Sequence, residues 1–277
     1  MKKIINSIIT LTALASLFLT GCGSAPKSSD GRLKALTSTT FLADITRNIA
    51  GDRISVDSLL PVGADPHAYQ AAPSDVAKIA ESNLLILNGL EYEHFIESLL
   101  ENAGGERLII EATAGLSPRK DAGSEHGVDP HMWLDPNLVV TYVENIRDGL
   151  IQVDVEGTQI YKANADAYIA QLKDLDKWIV GQVNTIPAER RLLVTNHEAV
   201  GYFAERYGFE VAGAVIPSLS TDAGTSAKEL AALIEVIKTS GAPAIFLGEV
   251  ENPDLANQIA AETDVKVVDN LHLESLT

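Results

Sequence analysis

Cysteine is almost missing from this 277-residue chain: Cys22 is its only one. That excludes an intramolecular disulfide, even in a compartment that would permit one, and leaves no thiolate for a metal site in a folded body. Positive charge is scarce as well, with 21 Lys and Arg against 38 Asp and Glu and a formal net charge of −17. Such an acidic body does not bind nucleic acid by neutralising phosphates, but it enriches cations near its surface. Acidity also serves solubility, so charge alone does not choose between those roles. The His-Glu-x-x-His pattern is missing too, because His197-Glu198 runs on into Ala-Val-Gly. That removes the commonest helical signature of a zinc hydrolase.

The one long apolar run lies at the start. Met1-Lys2-Lys3 is basic, and Ile4 to Leu19 is interrupted only by Asn, Ser and Thr. The run is short for a membrane span and has the layout of a secretory signal peptide, residues 1–21. It ends in Leu19-Thr20-Gly21-Cys22, which resembles the bacterial lipobox, where cleavage leaves the cysteine as an acylated N-terminus. Cys22 is therefore the expected lipidation site, with an uncleaved anchor or a freely exported protein as the alternatives. Residues 22–31 have the small, polar composition of a flexible tether. The expected location is the cell membrane, lipid-anchored, facing the extracytoplasmic side or periplasm. What remains after residue 21 suffices for one large domain or two lobes.

Strand and helix signals alternate from there on. Strands are expected at Leu33–Leu36, Ile54–Leu60, Leu84–Leu87 and Arg107–Ile110. Helices are expected at Phe41–Ala50, Ser74–Ser82, Tyr92–Asn102 and from Pro136, with Asp135 as N-cap, to about Leu150. Leu84-Leu-Ile-Leu87 shows no alternation, as a strand covered on both faces should not. A long helical stretch without proline, Val155 to Val183, carries an apolar stripe of Tyr161, Tyr168, Leu172, Leu175, Ile179 and Val183 and reads as a stiff connector. The second half repeats the punctuation, with strands at Arg191–Thr195, Val211–Ile216, Ala244–Gly248 and Val265–Val268. Its helices are expected at Glu198–Tyr207, Ser226–Thr239 and Pro253–Thr263. The fold class is α/β: two lobes, each a mostly parallel sheet flanked by helices, joined by one long rigid helix. The boundaries are 32–152 for the N-terminal lobe, 153–185 for the connecting helix and 186–277 for the C-terminal lobe.

Three histidines follow turn-like motifs: His67 in Pro61-Val-Gly-Ala-Asp-Pro-His67, His131 in Asp129-Pro-His131-Met-Trp-Leu-Asp-Pro136, and His197 in Val194-Thr-Asn-His197. Glu274 follows near the end. In parallel α/β lobes ligands bind beyond the carboxyl ends of strands, where His67, His197 and Glu274 are expected. Imidazoles and a carboxylate gathered at one point suit Zn²⁺, and also Mn²⁺ or Fe²⁺ where the carboxylate binds through both oxygens. Each residue also has a plainer reading. His67 alone is a loop residue bonded to backbone, and Asp129 and Asp135 are caps, either of which can orient the His131 ring. Glu198 points elsewhere. Glu249 and Glu251 follow a strand end at Gly248 and could approach the crevice, but acids there are more often solvated. His94 belongs within a helix, His126 in a flexible loop, and His272 competes with Glu274 for the fourth place.

Taken together, Pro61-Val-Gly-Ala-Asp-Pro-His67-Ala-Tyr with Pro73-Ser-Asp-Val, Asp129-Pro-His131-Met-Trp-Leu-Asp-Pro136, Val194-Thr-Asn-His197-Glu-Ala-Val-Gly-Tyr-Phe and Leu273-Glu274-Ser275-Leu276 resemble the metal-binding lipoproteins of bacterial ABC importers for zinc and manganese, the cluster A-I (cluster 9) solute-binding proteins. The resemblance covers most of the chain after the tether. It implies two α/β lobes bridged by a rigid helix, and His67, His131 and His197 as metal ligands. It also implies a monomer, without enzymatic activity or catalytic cofactor, that captures Zn²⁺ or Mn²⁺ as transported ligand and delivers it to an ABC permease. A surface adhesin of the same family is the alternative, and a zinc hydrolase a more distant one. The chain departs from the family pattern in carrying Glu274 where Asp is usual, and in ending at Thr277, before the family's closing helix. A lobe truncated there is expected to leave apolar surface open and the Glu274 loop poorly fixed. Only His126 precedes His131 where zinc-specific members carry a His-rich loop, while manganese-specific members often have Glu at the His197 position.

Overall fold

The computed structural model describes residues 31–120 and 127–276. The signal segment, Cys22, the tether up to residue 30 and His126 lie outside the described residues. The first sheet holds β1 (Leu33–Thr37), β2 (Ile54–Ser58), β3 (Leu84–Leu87) and β4 (Leu108–Glu111) in the order β2-β1-β3-β4, every pair parallel. Helices α1 (Thr40–Ala50), α2 (Pro73–Ala80), α3 (Ile96–Ala103) and α4 (Pro136–Val153) complete this half. The second sheet repeats the pattern with β5 (Leu192–Thr195), β6 (Glu210–Ala214), β7 (Ala244–Gly248) and β8 (Lys266–Leu271), ordered β6-β5-β7-β8 and again all parallel. Its helices are α6 (Gly201–Tyr207), α7 (Ala227–Ser240) and α8 (Asp254–Thr263).

Strand β3 shows why the apolar run lacks alternation. Leu84 and Ile86 pack with α1 and α4 on one face, against Ile45, Ile49, Val143 and Ile146, whereas Leu85 and Leu87 pack with Ile79, Ile96 and Leu99 on the other. All four are buried, so each face contributes its own hydrophobic stabilisation. The second half has a smaller core of Val194, Ile245 and Leu247 against Leu233, Ile237, Ala256 and Ile259.

The connector is helix α5 (Thr158–Val183), 26 residues or about 39 Å long, preceded by a 3₁₀ turn at Val155–Gly157. It is not a free-standing rod. Tyr161, Ala165 and Leu172 are buried in the first core, and Asn164 Nδ2 donates to Ile49 O at 3.0 Å. Of the expected stripe, Leu175 is 44 % exposed, whereas Val183 at the end of the helix is buried; Trp178, outside the stripe, is 62 % exposed. Among the described residues no helix is long and apolar enough to cross a membrane.

Helices α3 and α6 start later than the sequence pattern suggests. Helix α3 begins at Ile96 rather than Tyr92; Gly89, Leu90 and Glu91 take positive φ in the turn before it, and residues 92–95 complete that turn instead of opening the helix. The buried Glu93 carboxylate closes that loop by accepting from Asn88 N at 2.6 Å, Gly89 N at 3.1 Å and Ser38 Oγ at 2.7 Å. Helix α6 begins at Gly201 rather than Glu198, and Glu198 N donates to Ser218 O at 2.9 Å. Strand β8 runs three residues past Val268, to Leu271, and carries the chain toward Glu274.

Candidate metal centre

Both sheets point the carboxyl ends of their strands into one cleft, and the three histidines and Glu274 meet there. His67 lies in the loop after β2, where the Asp65 carboxylate accepts its backbone N–H at 2.9 Å. His131 stands just before a 3₁₀ turn at Met132–Leu134. Asp129 Oδ1 accepts from both its backbone N–H, at 3.0 Å, and its ring Nδ1, at 2.9 Å. His197 follows β5, and Thr195 Oγ1 donates to its carbonyl at 2.7 Å. Asp135 caps α4 by accepting from Asn137 N at 2.8 Å, so of the two flanking acids it is Asp129 that holds the ring.

Their separations carry the chemistry. His131 Nε2 lies 3.4 Å from His67 Nε2 and 3.4 Å from His197 Nε2. Glu274 Oε1 lies 3.2 Å from His67 Nε2, 3.4 Å from His197 Nε2 and 3.8 Å from His131 Nε2. One donor atom from each of the four falls within 4.8 Å of all the others. A tetrahedron with metal–ligand bonds of about 2.0–2.1 Å sets neighbouring donors about 3.3–3.4 Å apart. The four atoms already sit close to that spacing. Their side chains are 3, 0, 1 and 1 % exposed for His67, His131, His197 and Glu274. Neither Glu274 oxygen accepts a well-formed hydrogen bond. A buried carboxylate in that position, facing three ring nitrogens, is what a cation would satisfy.

Burial dominates the electrostatics but does not always win. It lowers the His131 pKa below the ordinary histidine value, with Asp129 opposing. Burial also acts to lower that of His197, but the Glu251 and Glu274 carboxylates facing its two ring nitrogens overcome it and push it up to about 10. Burial would raise Glu274, yet His197 and His67 hold it below the usual carboxylate range. Without metal, His197 and Glu274 are therefore a buried ion pair.

Several residues fall elsewhere than the sequence suggested. His272 is exposed and outside the cluster. His94 is also exposed, in the turn before α3 rather than within a helix. Glu198 is not among the clustered groups. Glu249 and Glu251 correct the expectation that they are solvated. Glu251 is 2 % exposed at its side chain, accepts from His197 Nδ1 at 2.5 Å through Oε1 and from Gly248 N through Oε2. Glu249 accepts from Leu273 N at 2.9 Å and from Ser275 N at 2.5 Å. The only sequence signal for either was their position at the end of β7, next to β5 in the sheet.

The Glu274 segment is firmly fixed, against expectation, because the first half binds it too. Trp133 Nε1 donates to Leu273 O at 2.6 Å, and Gly63 N donates to Ser275 Oγ at 3.0 Å. Thr40 Oγ1 lies 3.3 Å from Ser275 Oγ and accepts from Leu276 N at 2.8 Å. Elsewhere across the cleft, Thr221 Oγ1 donates to Asp65 Oδ2 at 2.6 Å and Tyr202 OH to Asp129 O at 2.7 Å.

The model of the family described as zinc-uptake complex component A, periplasmic (ZnuA), matches residues 36–277. The chain belongs to the ZnuA family. Among its relatives is the manganese-binding lipoprotein MntA of Halalkalibacterium halodurans, 33 % identical over 100 % of this chain and 91 % of the relative. The manganese ABC transporter substrate-binding lipoprotein PsaA of Streptococcus pneumoniae is 31 % identical, with the same coverage. In three dimensions the ZnuA-family chain is similar to the periplasmic zinc-binding protein TroA of Treponema pallidum, with a TM-score of 0.83 and 29 % identity over 89 % of this chain and 91 % of that one. The two-lobed architecture is thus that of the family.

Proposed function

We propose that this protein is an extracytoplasmic receptor that captures Zn²⁺ or Mn²⁺ on His67, His131, His197 and Glu274 and hands it to an ABC permease, held at the membrane by acyl chains on Cys22. The observation that carries this reading is the buried set of three imidazoles and one carboxylate, already spaced for a single ion, whose carboxylate has no other hydrogen-bond partner. Membership in the ZnuA family and the metal-binding names of its relatives support it. Burial favours binding over hydrolysis: four donors that are at most 3 % exposed leave no open position for a reacting water. The acidic chain favours cation arrival.

Calorimetric titration of the processed protein with Zn²⁺ and with Mn²⁺, followed by competition between the two, tests the reading. One ion is expected per chain. His131→Ala should weaken binding by more than the roughly 10–100-fold that loss of an outer partner costs, whereas His94→Ala and His272→Ala should bind as the unaltered protein does. Equal losses in all three variants, or no saturable binding, would refute the assignment.

A further inference from the structure

The four residues that end β7 and follow it, Gly248-Glu249-Val250-Glu251, touch both ligands of the second half while contributing none themselves. Glu251 reaches His197 from the outer side of the ring, at Nδ1, and its other oxygen is pinned by Gly248 N. Glu249 straddles Glu274: one oxygen takes the N–H of the residue before it, the other the N–H of the residue after it. Its own backbone N–H is spent on Leu271 O at 2.9 Å, at the end of β8. The packing around Gly248 is close, since a Cβ there would lie 3.3 Å from Glu251 Oε2 and 3.4 Å from Leu273 Cβ.

We infer that Glu249 and Glu251 form one positioning device that sets the geometry of both second-half ligands and biases the site toward Zn²⁺ over Mn²⁺. The inference rests on the receptor reading above. Glu251 fixes the Nδ1–H tautomer of His197, so that Nε2 presents its lone pair to the ion and donates more strongly for the negative charge behind it. Imidazole donation counts for more with Zn²⁺ than with Mn²⁺, which is better suited by oxygen. Glu249 holds the backbone on both sides of Glu274, which fixes where the carboxylate stands and resists the swing that would let both its oxygens chelate a larger ion. His131 has an equivalent partner in Asp129 two residues away on its own loop, but the second half supplies its two from a single loop distant in sequence.

The test uses the processed protein and three variants: Glu251→Ala, Glu251→Gln and Glu249→Gln. Three quantities are measured: Zn²⁺ and Mn²⁺ dissociation constants by competition, the metal-free melting temperature, and the downfield proton NMR signal of the His197 ring N–H in the Zn²⁺-loaded form. Glu251→Ala should lose about 10–100-fold in Zn²⁺ affinity, less in Mn²⁺ affinity, and that NMR signal with them. Glu251→Gln, whose amide oxygen still accepts from Nδ1–H, should keep the signal and regain most of the affinity. Glu249→Gln can accept only one of its two N–H groups; it should lose Zn²⁺ preference with the His197 signal intact. The inference is overturned if the variants keep the Zn²⁺/Mn²⁺ ratio, or if affinity falls only in step with melting temperature while the signal persists. If the unaltered protein binds neither ion, it is the receptor reading itself that fails.

Discussion

His197 sits between two carboxylates, Glu251 at its Nδ1 and Glu274 near its Nε2, and that environment decides how capture responds to pH. Its pKa is raised to about 10, so the metal-free protein carries a proton there at neutral pH, while a metal takes only the neutral ring. Binding therefore expels about one proton, and affinity should climb about tenfold for each pH unit up to about 10, then level off. His131, whose pKa burial lowers, is already neutral and adds no such dependence. Titrations in buffers of different ionisation enthalpy count the released protons; a pH-independent affinity would contradict the His197–Glu274 pairing. The three histidines were visible in the sequence because each stands beside residues that turn a chain, Asp-Pro before His67 and His131 and Asn before His197. Glu249 and Glu251 were not, because an acid after a strand is ordinarily solvated and only the folded register brings Glu251 to a ring 54 positions away.

Helix α4 lies against β4 at Gly149, where an added Cβ would fall 2.6 Å from Ile110 Cγ1. An alanine there would gain about 1 kcal/mol of helix propensity. Forcing it into a filled contact costs about 1–3 kcal/mol. Gly149→Ala should thus lower stability by about 1 kcal/mol in urea unfolding, and the same change made on Ile110→Ala should raise it. A stabilising effect in the unaltered background would show that helix and strand yield freely. The βα alternation itself was plain from sequence, since β3 is an unbroken apolar run; in the structure Ser226 and Glu229 close the start of α7 with a reciprocal cap at 3.2 and 2.7 Å. The late start of α3 was not, because Tyr92 and Ile96 keep the apolar spacing of a helix although Tyr92 still belongs to the turn that follows the positive-φ residues Gly89, Leu90 and Glu91. Periodicity records which side chains are buried and says nothing of φ.

The four proposed ligands divide evenly between the two halves: His67 and His131 from the first, His197 and Glu274 from the second. An ion bound by all four stabilises the closed arrangement of the whole chain, by about 2.7 kcal/mol when free metal is a hundred times its dissociation constant. Unfolding followed through both cores should therefore move to higher temperature together on adding Zn²⁺. Trp133 gives a local probe, as its ring stacks on Phe41 at 4.4 Å and its Nε1 donates to the Glu274 segment. In a Trp178→Phe background its emission should change on metal addition; an unchanged spectrum would place the bound ion elsewhere.

The Leu273–Leu276 stretch belongs to the second half by chain connectivity, yet Thr40, Gly63 and Trp133 of the first half grip it as well. Were the halves to part, this short seam would have to tear along one side or the other. If it stays with the first half, Glu274 remains beside His67 and His131 and only one donor departs. If it follows Glu249, the cage splits two and two. The same few hydrogen bonds thus govern how abruptly an open cleft lets its passenger go.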